Sequence, residues 1–187
     1  MTTIPKAFAR YPREAAIIGQ LVSGYGELEF DLAYAVRWII DDEDTAFKVM
    51  FRGPGEMQRI LMADALARGK IADTKQKTIF EQTLASMHVC RKIRNQNAHC
   101  HWMDSVGGGL KFIQLEEIAE QHAPVVISTI KQYGADASLL SQQQAYFLHT
   151  QRRWHYLALE FQARRGVIAS NPIAVAPRTM RTPKMHN

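Results

Sequence analysis

Ile18, Leu21, Tyr25, Leu28, Leu32, Ala35 and Ile39 follow one another at alternating steps of three and four residues. Only an α-helix puts such a series on one side, and a seam of this length must be buried against other helices. Pro12 suits the first turn, so a helix is expected from Arg13 to Ile40. Gly19, Gly24 and Gly26 lower its intrinsic propensity and admit a close helix approach or a bend. The acidic run Asp41-Asp42-Glu43-Asp44 closes the helix and, through Asp44, caps a short one over Thr45–Phe51.

The same periodicity recurs along the chain. After the turn signal Arg52-Gly53-Pro54-Gly55, a helix is expected over Glu56–Arg68, stopped by Gly69. Asp73 and Thr74 open a long helix through Phe80, Leu84, Met87, Cys90 and Ile93. Beyond Trp102 the pattern fails, with a loop over Asp104–Gly109 and a short extended or hairpin segment over Leu110–Leu115. Helical patterning returns over Glu116–Tyr133, split at Pro124. The last helix, Ser138–Arg165, carries Leu140, Gln143, Phe147, Thr150, Trp154, Leu157 and Phe161 on one seam. No repeat and no Rossmann or P-loop fingerprint is present, and few segments alternate with period two. The expectation is an all-α, up-and-down bundle of about five or six helices with a small flap or hairpin near 104–115. Residues 1–165 form one domain, and 166–187, with Pro172, Pro177 and Pro183, an irregular, mobile basic tail.

Charge is unevenly placed. Residues 1–148 hold 16 Lys and Arg against 17 Asp and Glu, whereas 149–187 hold 7 against Glu160 alone. A basic end beside a neutral body suits a polyanion, and it equally describes a solvated helix face with a soluble tail. No apolar run approaches the ~20 residues that span a bilayer. The first eleven residues carry Lys6 and Arg10 and lack the apolar run of a secretory signal. Cys90 and Cys100 would lie about 15 Å apart along a helix, too far for a disulfide. A reducing cytoplasm is therefore expected.

The end of the helix opened by Asp73 and Thr74 is where chemistry concentrates. Met87, Cys90, Arg94, Asn97 and His101 continue one stripe, and Arg91, Asn95 and His99 the next. A patch that is apolar upstream thus turns polar where core residues are expected. Each buried polar group costs about 1–3 kcal/mol unless it is hydrogen-bonded, a cost usually met for a site or a structural network. Arginine offers a permanent planar cation matched to phosphate, and histidine exchanges protons near neutral pH.

The segment Ile93-Arg94-Asn95-Gln96-Asn97-Ala98-His99 resembles the Arg-polar-x3-His signature of the HEPN (higher eukaryote and prokaryote nucleotide-binding) superfamily. The resemblance implies a small all-helical dimer and a metal-independent endoribonuclease, in some cases a toxin or phage-defence effector restrained by an antitoxin or other regulatory partner. It implies RNA as substrate and a composite cleft at the dimer interface, with Arg94, Asn95 and His99 as catalytic residues. Cleavage by the ribose 2′-OH would leave a 2′,3′-cyclic phosphate and a 5′-OH. The same resemblance covers helical modules that bind nucleotide, RNA or a protein without cutting.

Helix geometry bears on assembly. At ~100° per residue, Asn95 and His99 are about 40° apart but Arg94 and His99 about 140°. Two copies across a two-fold axis would bring the Arg of one towards the His of the other. In a continued helix His101 lies ~20° from Arg94 and competes with His99 for its role, with Asn97 as an accessory. Arg91, Trp102, Arg152 and Arg153 are the candidate RNA contacts. Trp38 and Trp154 fall near core seams. Glu27, Glu29 and Asp31 either face solvent or supply a partner to Arg91 or Arg94. His88, Cys90, His99, Cys100 and His101 lack the spacing of a zinc site, so no metal and no cofactor is expected. Gly107-Gly108-Gly109 lacks the lysine and the helix start of a phosphate loop. The plainer reading of Arg94 and His99 is a pair that satisfies the carbonyls at a helix end.

Overall fold

The computed structural model describes residues 6–53, 55–105, 107–120, 122, 124–173 and 175–187, except for the side chain of Ser128. Its helices are α1 (Lys6–Arg10), α2 (Pro12–Ile40), α3 (Glu43–Arg52), α4 (Glu56–Ala67), α5 (Thr74–His99), α6 (Leu115–Ala119) and α7 (Ala137–Arg164). The strands are β1 (His101–Asp104), β2 (Leu110–Ile113) and β3 (Tyr133–Gly134). Short 3-10 turns occupy Arg68–Lys70 and Ile127–Thr129. The protein is therefore mostly helical with one small sheet, as the seams require. No helix among the described residues is long and apolar enough to cross a membrane.

The chain forms two compact units, and α2, α5 and α7 contribute to both. Unit 1 comprises 1–23, 92–145 and 183–187; unit 2 comprises 24–91 and 146–182.

In unit 2 the seam residues Tyr25, Leu28, Leu32, Ala35 and Ile39 are buried, as are Phe80, Met87, Cys90, Trp154 and Leu157. Phe80 and Trp154 meet edge to face at 5.9 Å, a favoured aromatic geometry. The helix ends are closed by side chains. Arg165 donates to the carbonyls of Trp38 and Ile39 at 2.8 and 3.2 Å, groups that the end of α2 leaves without helical partners. Its other nitrogen pairs with Asp41 at 2.6 Å, where the backbone is left-handed. Asp42, not Asp44, caps α3: its carboxylate accepts from the Thr45 amide at 2.9 Å, while Asp44 pairs with Lys48 one turn on. Thr45 thus lies inside the helix, which starts two residues earlier than its apolar pattern. Asp73 caps α5 as expected, accepting from the Gln76 amide at 2.9 Å. This bond and Arg164 hold its carboxyl below the usual range. Glu29 pairs with Arg59 at 2.6 Å and Asp31 with His155 at 2.9 Å, so both acids are engaged within this unit. A Cβ on Gly24 or Gly26 would meet nothing within 4 Å, so no close helix approach depends on them.

In unit 1 the expected flap is an antiparallel hairpin, with Trp102 opposite Phe112 and Asp104 opposite Leu110. Gly108 and Gly109 take positive φ in its turn, the conformation that favours glycine. β3 adds to β2 through Phe112 and Tyr133. Arg10 and Tyr11 tie the hairpin to the start of the chain: both contact Asp104, and the Gly109 amide donates to the Tyr11 hydroxyl at 2.7 Å. Among the described residues of 116–133 the expected helix is not found: only Leu115–Ala119 is α-helical, followed by the 3-10 turn and β3. Pro124 lacks a donor, and Val125-Val126-Ile127 are β-branched and exposed, so no buried face sustains a helix there.

One core group departs from the apolar rule. Arg153 is 2% exposed, and its guanidinium donates to Gln82 Oε1 at 2.9 Å and the Ile79 carbonyl at 3.4 Å. Burial pushes its pKa below the ordinary arginine range. A buried cation that donates to two neutral acceptors is a poor stabiliser, and a flexible apolar chain can take the same place. Arg153→Met should leave the melting temperature unchanged or raise it by a few degrees. A fall of more than about 5 °C in a thermal scan would show that the guanidinium earns its burial.

Candidate functional site

α5 runs without interruption from Thr74 to His99, so Arg94, Asn95, Asn97 and His99 all sit on its last two turns. The helix ends because Trp102 is drawn into the core of unit 1. Its ring packs on Phe8 at 5.8 Å and Phe112 at 5.1 Å. The indole N–H donates to the Asn97 carbonyl at 3.2 Å, replacing the amide that a continued helix would have supplied. Cys100 still closes a helical bond to the Gln96 carbonyl at 3.1 Å, and from His101 the chain is extended.

This ending sorts the predicted residues. Arg94 Nη1 donates to Asn95 Oδ1 at 3.0 Å, bringing the cation and its following polar residue together. Asn95 and His99, one turn apart, line a recess of about 20 Å³ with Gln96 and Cys100. Gln114, Leu115 and Glu116 close it from the start of α6. Within one protomer, then, Arg94 touches Asn95, and Asn95 shares a recess with His99. His99 itself is exposed, as a proton donor or acceptor for an incoming ligand must be.

Other predicted residues fall elsewhere. His101 is on β1, exposed and on the opposite side of the strand from Trp102, so the helical angle that placed it near Arg94 does not apply. Asn97 is 4% exposed and donates to the Ile93 carbonyl at 2.9 Å, which makes it a helix-end core group and not an accessory to catalysis. Trp102 is 9% exposed with its N–H engaged, so it cannot offer a ring face for base stacking. In unit 2, Arg152 is exposed, whereas Arg153 is buried and cannot reach a phosphate from there. Arg91 is half-buried in the same unit and its charge partly offsets what burial, Glu29 and Glu56 do to the Tyr25 phenol, which is held protonated far above its ordinary range.

Gln96, Cys100, Gln114 and Glu116 belong to the recess and were not read as site residues. Gln96 stands inside the motif but on neither polar stripe; the others arrive through the turn into β1 and the packing of α6, which leave no local pattern. Glu116 brings the one carboxylate among the lining residues. Among the described residues no group of three or more His, Cys, Asp or Glu is arranged to hold a metal ion.

Comparison of the chain with protein-family models, with curated proteins and with solved structures finds no match.

Both cysteines are unpaired. Cys100 is half-buried at the recess, and burial pushes its thiol up to about 12; the fully buried Cys90 is likewise raised to about 12. At pH 8 only about one Cys100 in ten thousand would be thiolate, the reactive form. Iodoacetamide should therefore label the folded protein at pH 8 far more slowly than the unfolded chain, by mass spectrometry. Rapid labelling of Cys100 in the folded state would show that its side chain is not packed as described.

Proposed function

We propose that this protein is a metal-independent endoribonuclease of the HEPN type, acting as a homodimer. The observation that carries the reading is the contact of Arg94 with Asn95, together with the common recess of Asn95 and the exposed His99. A guanidinium, a neutral amide and an imidazole on one helix end are the groups that a phosphodiester transesterification needs.

In this reading Arg94 holds the scissile phosphate and offsets the charge that builds on its equatorial oxygens. His99 of one subunit takes the proton of the ribose 2′-OH while water protonates the departing 5′ oxygen, or, as imidazolium, protonates that oxygen while water takes the 2′-OH proton. The 2′ oxygen bonds to phosphorus as the bond to the 5′ oxygen breaks, so the products are a 2′,3′-cyclic phosphate and a 5′-OH end. Asn95, already an acceptor for Arg94, fixes the direction of the guanidinium. Two quantities support a dimer. Arg94 and His99 diverge by about 140° around α5, and a recess of about 20 Å³ is far below the ~300–1,000 Å³ of a self-sufficient ligand pocket. A second copy of the helix end supplies the missing half. The free thiols suit a reducing cytoplasm.

Purified protein incubated with end-labelled RNA in EDTA should produce fragments ending in cyclic phosphate. Arg94→Ala and His99→Ala should each lower the rate by at least about a hundredfold while retaining the helical circular dichroism of the parent. RNA bound but left intact by the parent protein would assign the same patch to a binding module and end the nuclease reading.

A further inference from the structure

Gln143 stands on the buried seam of α7, at a position where the pattern calls for leucine, and is 0% exposed. A primary amide there is costly unless its donors are used. They are used by a segment far along the chain: Gln143 Nε2 donates to the carbonyls of Lys184 at 2.9 Å and Met185 at 3.3 Å. Gln96 Nε2, from α5, donates to the same Met185 carbonyl at 2.7 Å. His186 lies with its ring 4.2 Å from that of Tyr133. The Asn187 amide donates to the Gly134 carbonyl at 3.1 Å, and its side chain to Asp136 at 2.9 Å. Residues 183–187 accordingly group with unit 1.

Two kinds of recognition are combined here. The glutamine amides read main-chain carbonyls, which any extended peptide presents. Tyr133 and Asp136 read a ring and an amide side chain, which only certain peptides present. The hold is all side-chain work apart from one backbone–backbone hydrogen bond to β3. Residues 166–182, which connect α7 to this segment, contain no helix or strand among those described.

We propose that unit 1 carries a peptide-recognition groove, built from Gln96, Tyr133, Asp136 and Gln143, for a Lys-Met-His-Asn segment, and that residues 184–187 occupy it as a displaceable internal ligand. The groove touches the recess through Gln96, which lines the one and binds Met185 in the other. The inference does not rest on the nuclease reading, and its test uses no RNA.

The probe is a fluorescein-labelled peptide of residues 182–187, followed by anisotropy against the full chain and against a chain ending at Thr182. The shortened chain should capture the peptide. The full chain should bind it at least about tenfold more weakly, because its own segment competes at a local concentration of order millimolar. Asp136→Ala in the shortened chain, or alanine at the His186 position of the peptide, should weaken capture by about fivefold. A full-length chain with His186→Gly and Asn187→Gly, which keeps every buried group in place, serves if shortening unfolds the protein, and it should capture the peptide as the shortened chain does. Equal capture by the parent and the released chains overturns the proposal, as does no capture at millimolar peptide by whichever of the two altered chains is folded.

Discussion

The hydrogen bond from the Trp102 indole to the Asn97 carbonyl governs how the rest of the site is placed. A helix end leaves carbonyls without partners, and something must take them if the end is to be packed. Here a large ring takes one and is itself buried between Phe8 and Phe112. That single arrangement stops α5 at His99, starts the hairpin and turns His101 away. It leaves Arg94, Asn95 and His99 on the last two turns of the helix.

The hairpin then serves as a frame. Phe112 stacks on Tyr133 at 5.5 Å, and Tyr133 on His186, so a row of rings runs from Phe8 through the sheet to the last residues of the chain. Aromatic pairs of this kind contribute about 0.5–1.5 kcal/mol each beyond the area they bury. The chain end is thereby drawn into unit 1, where a freely mobile tail had been expected. Gln143 and Gln96 are the counterpart on the helices, two amides whose donors find main-chain carbonyls there.

The basic character of the final third is less available than its composition implies. Arg164 and Arg165 are paired with Asp73 and Asp41, and Arg153 is buried, while Arg152, Arg178, Arg181 and Lys184 remain exposed. Counting cations along a chain treats them all as surface charge. Which of them a ligand can meet depends on what the helices bury.

Helix periodicity by itself determined the all-α class and the extents of α2 and α7 to within a residue or two. Those features repeat a local rule over many residues, so local residues suffice to read them. α5 ends at His99, three residues before the pattern fails at Trp102, and the short extended or hairpin segment expected at 110–115 is one strand of a hairpin. The polar patch on α5 was legible because it too follows the helical repeat. Tertiary structure alone decided that Asn97, Trp102 and Arg153 are core residues, that 116–133 is mostly not helix, and that Gln96 and Glu116 join His99 at one recess. Each of those outcomes depends on a partner distant in the chain, or on the lack of a buried face. A side chain carries no mark of which neighbour will exclude water from it.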